Sequence, residues 1–105
     1  MKKSEQIMEN NYVLKNIDVF YDNQADAYWC YPQRRLRSCS ASVYETDDYI
    51  VLKSYNTVVA FINKHTHELF DVLRYVYGYT STSAQHISKF SHDYNHTTIR
   101  RYYPV

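Results

Sequence analysis

A single glycine and two prolines among 105 residues leave this chain almost without the residues that punctuate a backbone. Glycine-rich phosphate loops are thereby excluded, and turns that need positive φ are expected to rest mainly on asparagine and aspartate. Cysteine is scarce as well, with only Cys30 and Cys39. They cannot build a four-cysteine zinc framework, and in a cytosolic chain two such thiols are expected to be reduced rather than bridged. Charge of one sign is missing too: twelve Lys and Arg against eleven Asp and Glu give a net +1. That balance supplies no general attraction to nucleic acid or to a membrane surface. No apolar run approaches the roughly 20 residues that span a bilayer, and Met1-Lys2-Lys3-Ser4 leads into no signal-peptide core. The expected location is the cytoplasm of the cell in which the protein acts.

What is abundant is tyrosine: thirteen, against four Phe and one Trp. A tyrosine pairs a large apolar ring with a polar tip, which suits strands and half-buried contact surfaces alike. At this length one domain with one modest core is expected. Residues 1 to 10 are polar and read as a weak helix or a flexible arm. From Asn11 to Tyr21, β-branched and aromatic residues suggest a strand ended by Asp22-Asn23-Gln24. Ala25 to Ser42 has little periodicity and reads as a short helix over Gln24 to Trp29 followed by an ordered loop around Pro32.

The second half is more regular. Thr46-Asp47-Asp48 separates two β-prone runs and signals a hairpin. In the second run Ile50, Leu52 and Ser54 share one face, and Tyr49, Val51, Lys53 and Tyr55 the other. Thr57 to Ile62 is apolar on both faces and should be a central strand, with Val58, Ala60 and Ile62 on one side and Val59 and Phe61 on the other. Glu68 to Tyr79 fits both a helix, through Leu69, Val72, Leu73 and Val76, and a strand, through its β-formers; the strand is the favoured reading. Thr82 with Gln85 resembles a capping box opening a helix from Ser83 to about Tyr94, with Ala84, Ile87, Phe90 and Tyr94 on one face. Thr97 to Tyr103 then suggests an edge strand before Pro104. Together these elements describe an α+β domain: a small antiparallel β-sheet of four or five strands, one main α-helix packed on it, and an irregular N-terminal third.

Lys53-Ser54-Tyr55-Asn56-Thr57-Val58-Val59-Ala60, Tyr77-Gly78-Tyr79-Thr80-Ser81-Thr82-Ser83 and His86-Ile87-Ser88-Lys89-Phe90 resemble a family of small phage and prophage proteins. Its pattern is a Ser-Tyr-Asn-Thr-x-Val-Ala strand pair followed by an aromatic, hydroxyl-rich helix start. The resemblance covers Val43 to Phe90 and departs where Asn63 to Glu68 replaces a short glycine-containing turn. It implies a compact β-then-α unit and, from its origin, a protein that binds and inhibits a host macromolecule, a CRISPR effector being one such target.

Candidates for chemistry are few. His92 and His96 are four apart, yet without a His-Glu-x-x-His motif the expectation is solvated histidines, no metal and no cofactor. His86 beside Cys30 or Cys39 would make a Cys–His pair, but Tyr31-Pro32 offers no amide donor after Cys30 for an oxyanion hole. His86 is instead expected to bond the helix cap or a neighbouring strand, and the protein is expected not to be an enzyme. The stronger candidates are Arg34, Arg35 and Arg37 with Tyr28, Trp29 and Tyr31, together with Arg100, Arg101 and Tyr102. Arginine and tyrosine are enriched at interface cores and suit a host protein or nucleoprotein partner. The second reading is a single-stranded nucleic-acid-binding accessory protein, arginine forks gripping phosphates while tyrosines stack on bases. An acidic patch of Glu45, Asp47, Asp48 and Asp71 imitating nucleic acid is the weaker idea. Two unpaired sheet edges are compatible with a homodimer.

Overall fold

A computed structural model describes residues 3–24, 34–36, 38–55, 57–76 and 80–104, with the side chains of 23–24, 34–36 and 38–40 left outside the description. The elements run α1 (Lys3–Gln24), β1 (Arg34–Leu36), β2 (Ser38–Glu45), β3 (Tyr49–Ser54), β4 (Thr57–Asn63), β5 (Glu68–Asp71), α2 (Leu73–Val76), α3 (Ser81–Asp93) and β6 (Thr98–Arg101). The six strands form one sheet in chain order. Neighbours are antiparallel through β5, and β6 returns parallel to β5. A parallel return needs a crossover, and α2 and α3 provide it.

The α+β class holds, and the details differ in three places. The sheet has six strands among the described residues and is mixed. The N-terminal third opens with a 22-residue helix where a weak helix or a flexible arm over residues 1–10, followed by a strand, was expected. Val13, Ile17 and Phe20 sit at i, i+4 and i+7 and are buried, which is the helical repeat. Tyr12, Leu14, Val19 and Tyr21 interleave with them and mimic a β-run, so local propensity yields to packing on the sheet. Of the short helix expected over Gln24 to Trp29, Gln24 ends α1 and residues 25–29 lie outside the described residues. The run from Glu68 divides: four buried residues extend as β5, and Leu73–Val76 turn into α2.

Both faces of the sheet are covered. On one, Leu52, Ala60, Ile62 and Leu69 meet Ile87 and Phe90 of α3. On the other, Tyr44, Val51, Phe61 and Phe70 meet Val13, Ile17 and Phe20 of α1. Phe20 stacks on Phe61 with ring centres 4.3 Å apart and meets Tyr49 edge-on at 5.0 Å. Strand β4 is central, as its apolar character implied, but its alternation slips. The pairing passes from Leu52↔Ala60 to Lys53↔Val58, leaving Val59 as an extra residue. Such a bulge puts two successive side chains on one side. Val59 therefore joins Ala60 and Ile62 on the α3 face, and Val58 joins Phe61 on the α1 face. The Val59 carbonyl accepts the Val72 amide at 2.9 Å, fixing the start of α2.

The turns show how a chain nearly free of glycine manages. The Thr46–Asp48 hairpin forms as expected, Thr46 Oγ1 accepting the amides of Asp48 and Tyr49. Asn63 Oδ1 accepts the amides of His65 and Thr66 in the next turn. Among the described residues other than glycine, positive φ falls not on asparagine or aspartate but on Tyr55 (φ 51°) and His67 (φ 61°). A left-handed non-glycine residue costs about 1–2 kcal/mol, which the flanking strand pairs offset. The N-cap of α3 is Thr80, whose Oγ1 accepts the Ser83 amide, so the helix starts two residues before the expected capping box.

Candidate functional site

Strand alternation separates Arg100 from Arg101, two side chains that the sequence presents as one basic cluster. Arg100 points to the α1 face. Its Nε donates to Glu68 Oε2 at 2.9 Å and its Nη1 reaches Glu9 Oε2 at 3.2 Å, while the guanidinium lies 5.0 Å from the centre of the Tyr12 ring. Tyr12 in turn donates its hydroxyl to Glu68 Oε1 at 2.6 Å. Burial alone would raise the Glu68 carboxyl, but hydrogen bonds from Tyr12, Arg100 and Thr66 outweigh it and hold the group below its ordinary value. The bond to Glu68 raises the Tyr12 hydroxyl, with burial adding to it. Asn10 completes this seam: its side chain donates to the Tyr103 carbonyl and accepts the Tyr103 amide. The result is a polar latch that docks the first half of α1 against β6. Arg101 faces the other way and donates Nε to Asp71 Oδ2 at 3.1 Å.

Both C-terminal arginines are therefore matched by carboxylates within the fold. A guanidinium engaged through both Nε and Nη1, as in Arg100, is a poor grip for a nucleic-acid backbone, because every phosphate must compete with carboxylates already in place, whereas Arg101 is held through Nε alone. Arg34 and Arg35 lie on β1 at the sheet edge, paired with Val43 and Ser42, with side chains outside the description. Tyr28, Trp29, Tyr31 and Arg37 lie outside the described residues.

Tyr102 belongs to a different environment, one that the sequence did not single out. It packs half-buried against the α1-side core with Leu14 and Val76, and its ring meets Tyr75 edge-on at 5.5 Å. Tyr75 is exposed, and its proximity adds to burial in pushing the Tyr21 hydroxyl up. Tyr21 ends a row with Ile7 and Leu14, spaced seven residues apart along one flank of α1. Ile7, Tyr21 and Tyr75 each keep more than two fifths of their surface exposed. An aromatic strip thus runs from α1 across α2 to the segment after β6. The opposite flank carries Met8, Tyr12 and Val19, also exposed, and a polar ridge of Asn11, Lys15, Asp18 and Asp22 divides the two. The signal was available as the spacing Ile7, Leu14, Tyr21, and a strand assignment concealed it.

The remaining candidates are accounted for by structure. His86 Nδ1 lies 2.9 Å from Ser54 Oγ, which is 2.9 Å from Ser83 Oγ, so a buried hydroxyl–imidazole cluster ties α3 to the end of β3. This is the neighbouring-strand contact expected of His86, and burial lowers its pKa. The Cys39 side chain and all of Cys30 lie outside the description. His96 contacts Ser91 and the Tyr94 carbonyl, and His92 stands exposed beside Asp93. Among the described residues no three His, Cys, Asp or Glu side chains converge as metal ligands would. In the acidic set, Glu45 pairs with Lys64, Asp48 with His65, and Asp71 with Arg101. No described helix is long and apolar enough to cross a membrane.

No curated protein and no solved structure matches the chain. One family model does, over residues 8–103, which takes in α1 from Met8 onward, the six described strands and the latch between them. By that match the chain belongs to the family of unknown function DUF8033.

Proposed function

We propose that this protein works by binding a protein partner, without chemistry of its own, and that the partner is read by the tyrosine strip of Ile7, Tyr21, Tyr75 and Tyr102. The observation that carries this reading is the double use of α1. One side supplies Val13, Ile17 and Phe20 to the core, while the Ile7–Tyr21 flank leaves apolar and aromatic surface exposed beside two more tyrosines. Scattered exposed apolar residues mean little, whereas an aromatic group gathered from three separate parts of the chain is the composition of an interface core. Tyrosine suits the role because its two side-chain torsions leave little entropy to lose on contact. The resemblance to small phage proteins supplies the kind of partner, a host defence macromolecule such as a CRISPR effector, which the protein would inhibit by occupying its surface.

The double variant Ile7→Glu with Tyr75→Ser should abolish complex formation in the host while the melting temperature stays within a few degrees of the parent. Met8→Glu with Val19→Glu, on the opposite flank, should leave the complex intact. Loss of phage protection with the first pair and its retention with the second is the functional counterpart. The nucleic-acid reading predicts otherwise: salt-sensitive binding of single strands that falls when Arg34, Arg35 and Arg37 are replaced together. That pattern, together with indifference to the Ile7 and Tyr75 changes, would displace the protein-partner reading.

A further inference from the structure

Helix α3 lies over β1, β3 and β4 and reaches Leu69 of β5, while β6 forms the edge of the sheet beyond it. A cleft of about 400 Å³ opens there, between α3, the start of α2 and β6. Its apolar floor is Leu73, Ile87 and Ile99, and its polar rim includes Arg101, Arg74 and Ser88. The volume is that of a site for a small organic molecule.

The placement follows from topology. Strands β5 and β6 are the parallel pair of the sheet, and their last residues, Asp71 and Arg101, stand opposite each other in register and both line the cleft. The carboxyl ends of parallel strands are where open α/β sheets place their ligands, because the chain leaves there in divergent directions. Asp71 is nearly buried and fully engaged: Oδ1 accepts the Leu73 amide at 3.2 Å and Oδ2 the Nε of Arg101 at 3.1 Å. That bond holds the Arg101 side chain by Nε alone. Its terminal fork, Nη1 and Nη2, makes no other hydrogen bond among the described residues, and the side chain is 45% exposed. Arg74 lies 4.7 Å from the Tyr103 ring centre at the rim. Asp71 is the one carboxylate in the lining, beside the arginines Arg74 and Arg101.

We infer that this cleft is a binding site for a small organic anion, its carboxylate or phosphate held end-on by the Arg101 fork and its apolar body resting on Leu73, Ile87 and Ile99. A guanidinium fork matches the paired oxygens of either acid group, and the buried carboxylate behind it sets the fork before the ligand arrives. Asp71 acts here as a positioning residue. This site lies on the α3 side of the sheet, shares no residue with the tyrosine strip, and stands or falls independently of the partner proposed above.

Titrating the full chain with benzoate, phenyl phosphate and neutral benzyl alcohol, followed by amide chemical shifts, tests the assignment. Saturable shifts confined to residues 71–74, 84–91 and 99–103 are expected for one or both acids, and the tighter acid identifies the headgroup. Benzyl alcohol should bind at least tenfold more weakly. Arg101→Lys keeps the charge and removes the fork, and Ser88→Trp fills the cleft from an exposed position; each should weaken the acid at least tenfold with the spectrum of the folded protein retained. If Arg101→Lys unfolds the chain, Ser88→Trp decides alone. The inference is overturned by the absence of saturable shifts, by equal binding of benzyl alcohol, or by acid binding that the cleft variants leave unchanged.

Discussion

Helices α3 and α1 cover opposite faces of one sheet, and they differ in what they leave outside. Buried α3 residues come from one stripe, Ser83, His86, Ile87 and Phe90, and its exposed positions carry no large hydrophobic side chain among the described residues. Helix α1 buries Val13, Ile17 and Phe20 and exposes Ile7, Met8, Tyr12, Val19 and Tyr21. A helix needed only to close a core resembles α3. Of that surplus Tyr12 is engaged in the latch, and the Ile7–Tyr21 flank, beside Tyr75 and Tyr102, is where a binding role is assigned.

The largest effect that could break this contrast is a core truncation. Phe20→Ala removes the ring stacked between α1 and Phe61 and should cost about 3–5 kcal/mol, with Phe90→Ala on the α3 side costing a similar amount. Urea denaturation of both variants checks it; a small loss at Phe20 would mean that α1 is not docked as described. Next comes the latch. Glu68→Gln keeps the shape but removes the charge facing Arg100 and leaves one acceptor oxygen where Tyr12 and Arg100 use two, and should cost about 1–3 kcal/mol. Thr80→Ala tests the sharper helix, where loss of the N-cap should cost about 1 kcal/mol.

Acid should act on the two sides in separate windows. Burial depresses the folded-state pKa of His86, so the unfolded chain binds the proton more readily. Stability is then full above its ordinary value of about 6.5 and falls as pH drops toward the folded value. Glu68 is also depressed, so its contribution is present above the ordinary carboxylate range of about 4.3 and is lost only in stronger acid. Thermal melts from pH 8 to pH 3 should show a first decline that His86→Gln removes and a second that Glu68→Gln removes. The smallest stability effect belongs to the proposed surface: Ile7→Glu and Tyr75→Ser should each stay within about 0.5 kcal/mol.

The same contrast shows what a reader of the sequence can and cannot obtain. The α3 face of Ala84, Ile87, Phe90 and Tyr94 was legible because its apolar positions follow one period and polar residues fill the rest. The Thr46–Asp48 hairpin and the central place of β4 were legible for comparable local reasons. Helix α1 was not, because apolar residues on several of its sides erase the period, and two of those extra residues, Ile7 and Tyr21, are assigned to the proposed binding strip. The faces of Val58 and Val59 were misplaced because a bulge is decided by the pairing with β3. The separation of Arg100 from Arg101 needed only the alternation of an edge strand, yet their carboxylate partners come from Glu9, Glu68 and Asp71, distant in sequence. The early turn into α2 follows from the Val72–Val59 bond, another contact between distant residues.

The most direct test places a photo-reactive side chain at position 7 or 75 on the tyrosine strip, and at position 8 on the opposite flank, in the full-length protein inside host cells. The account predicts one protein adduct from positions 7 and 75, lost when Tyr21 is replaced by Glu, and no such adduct from position 8. An adduct from position 8 alone, or cross-links to nucleic acid in place of protein, would contradict it.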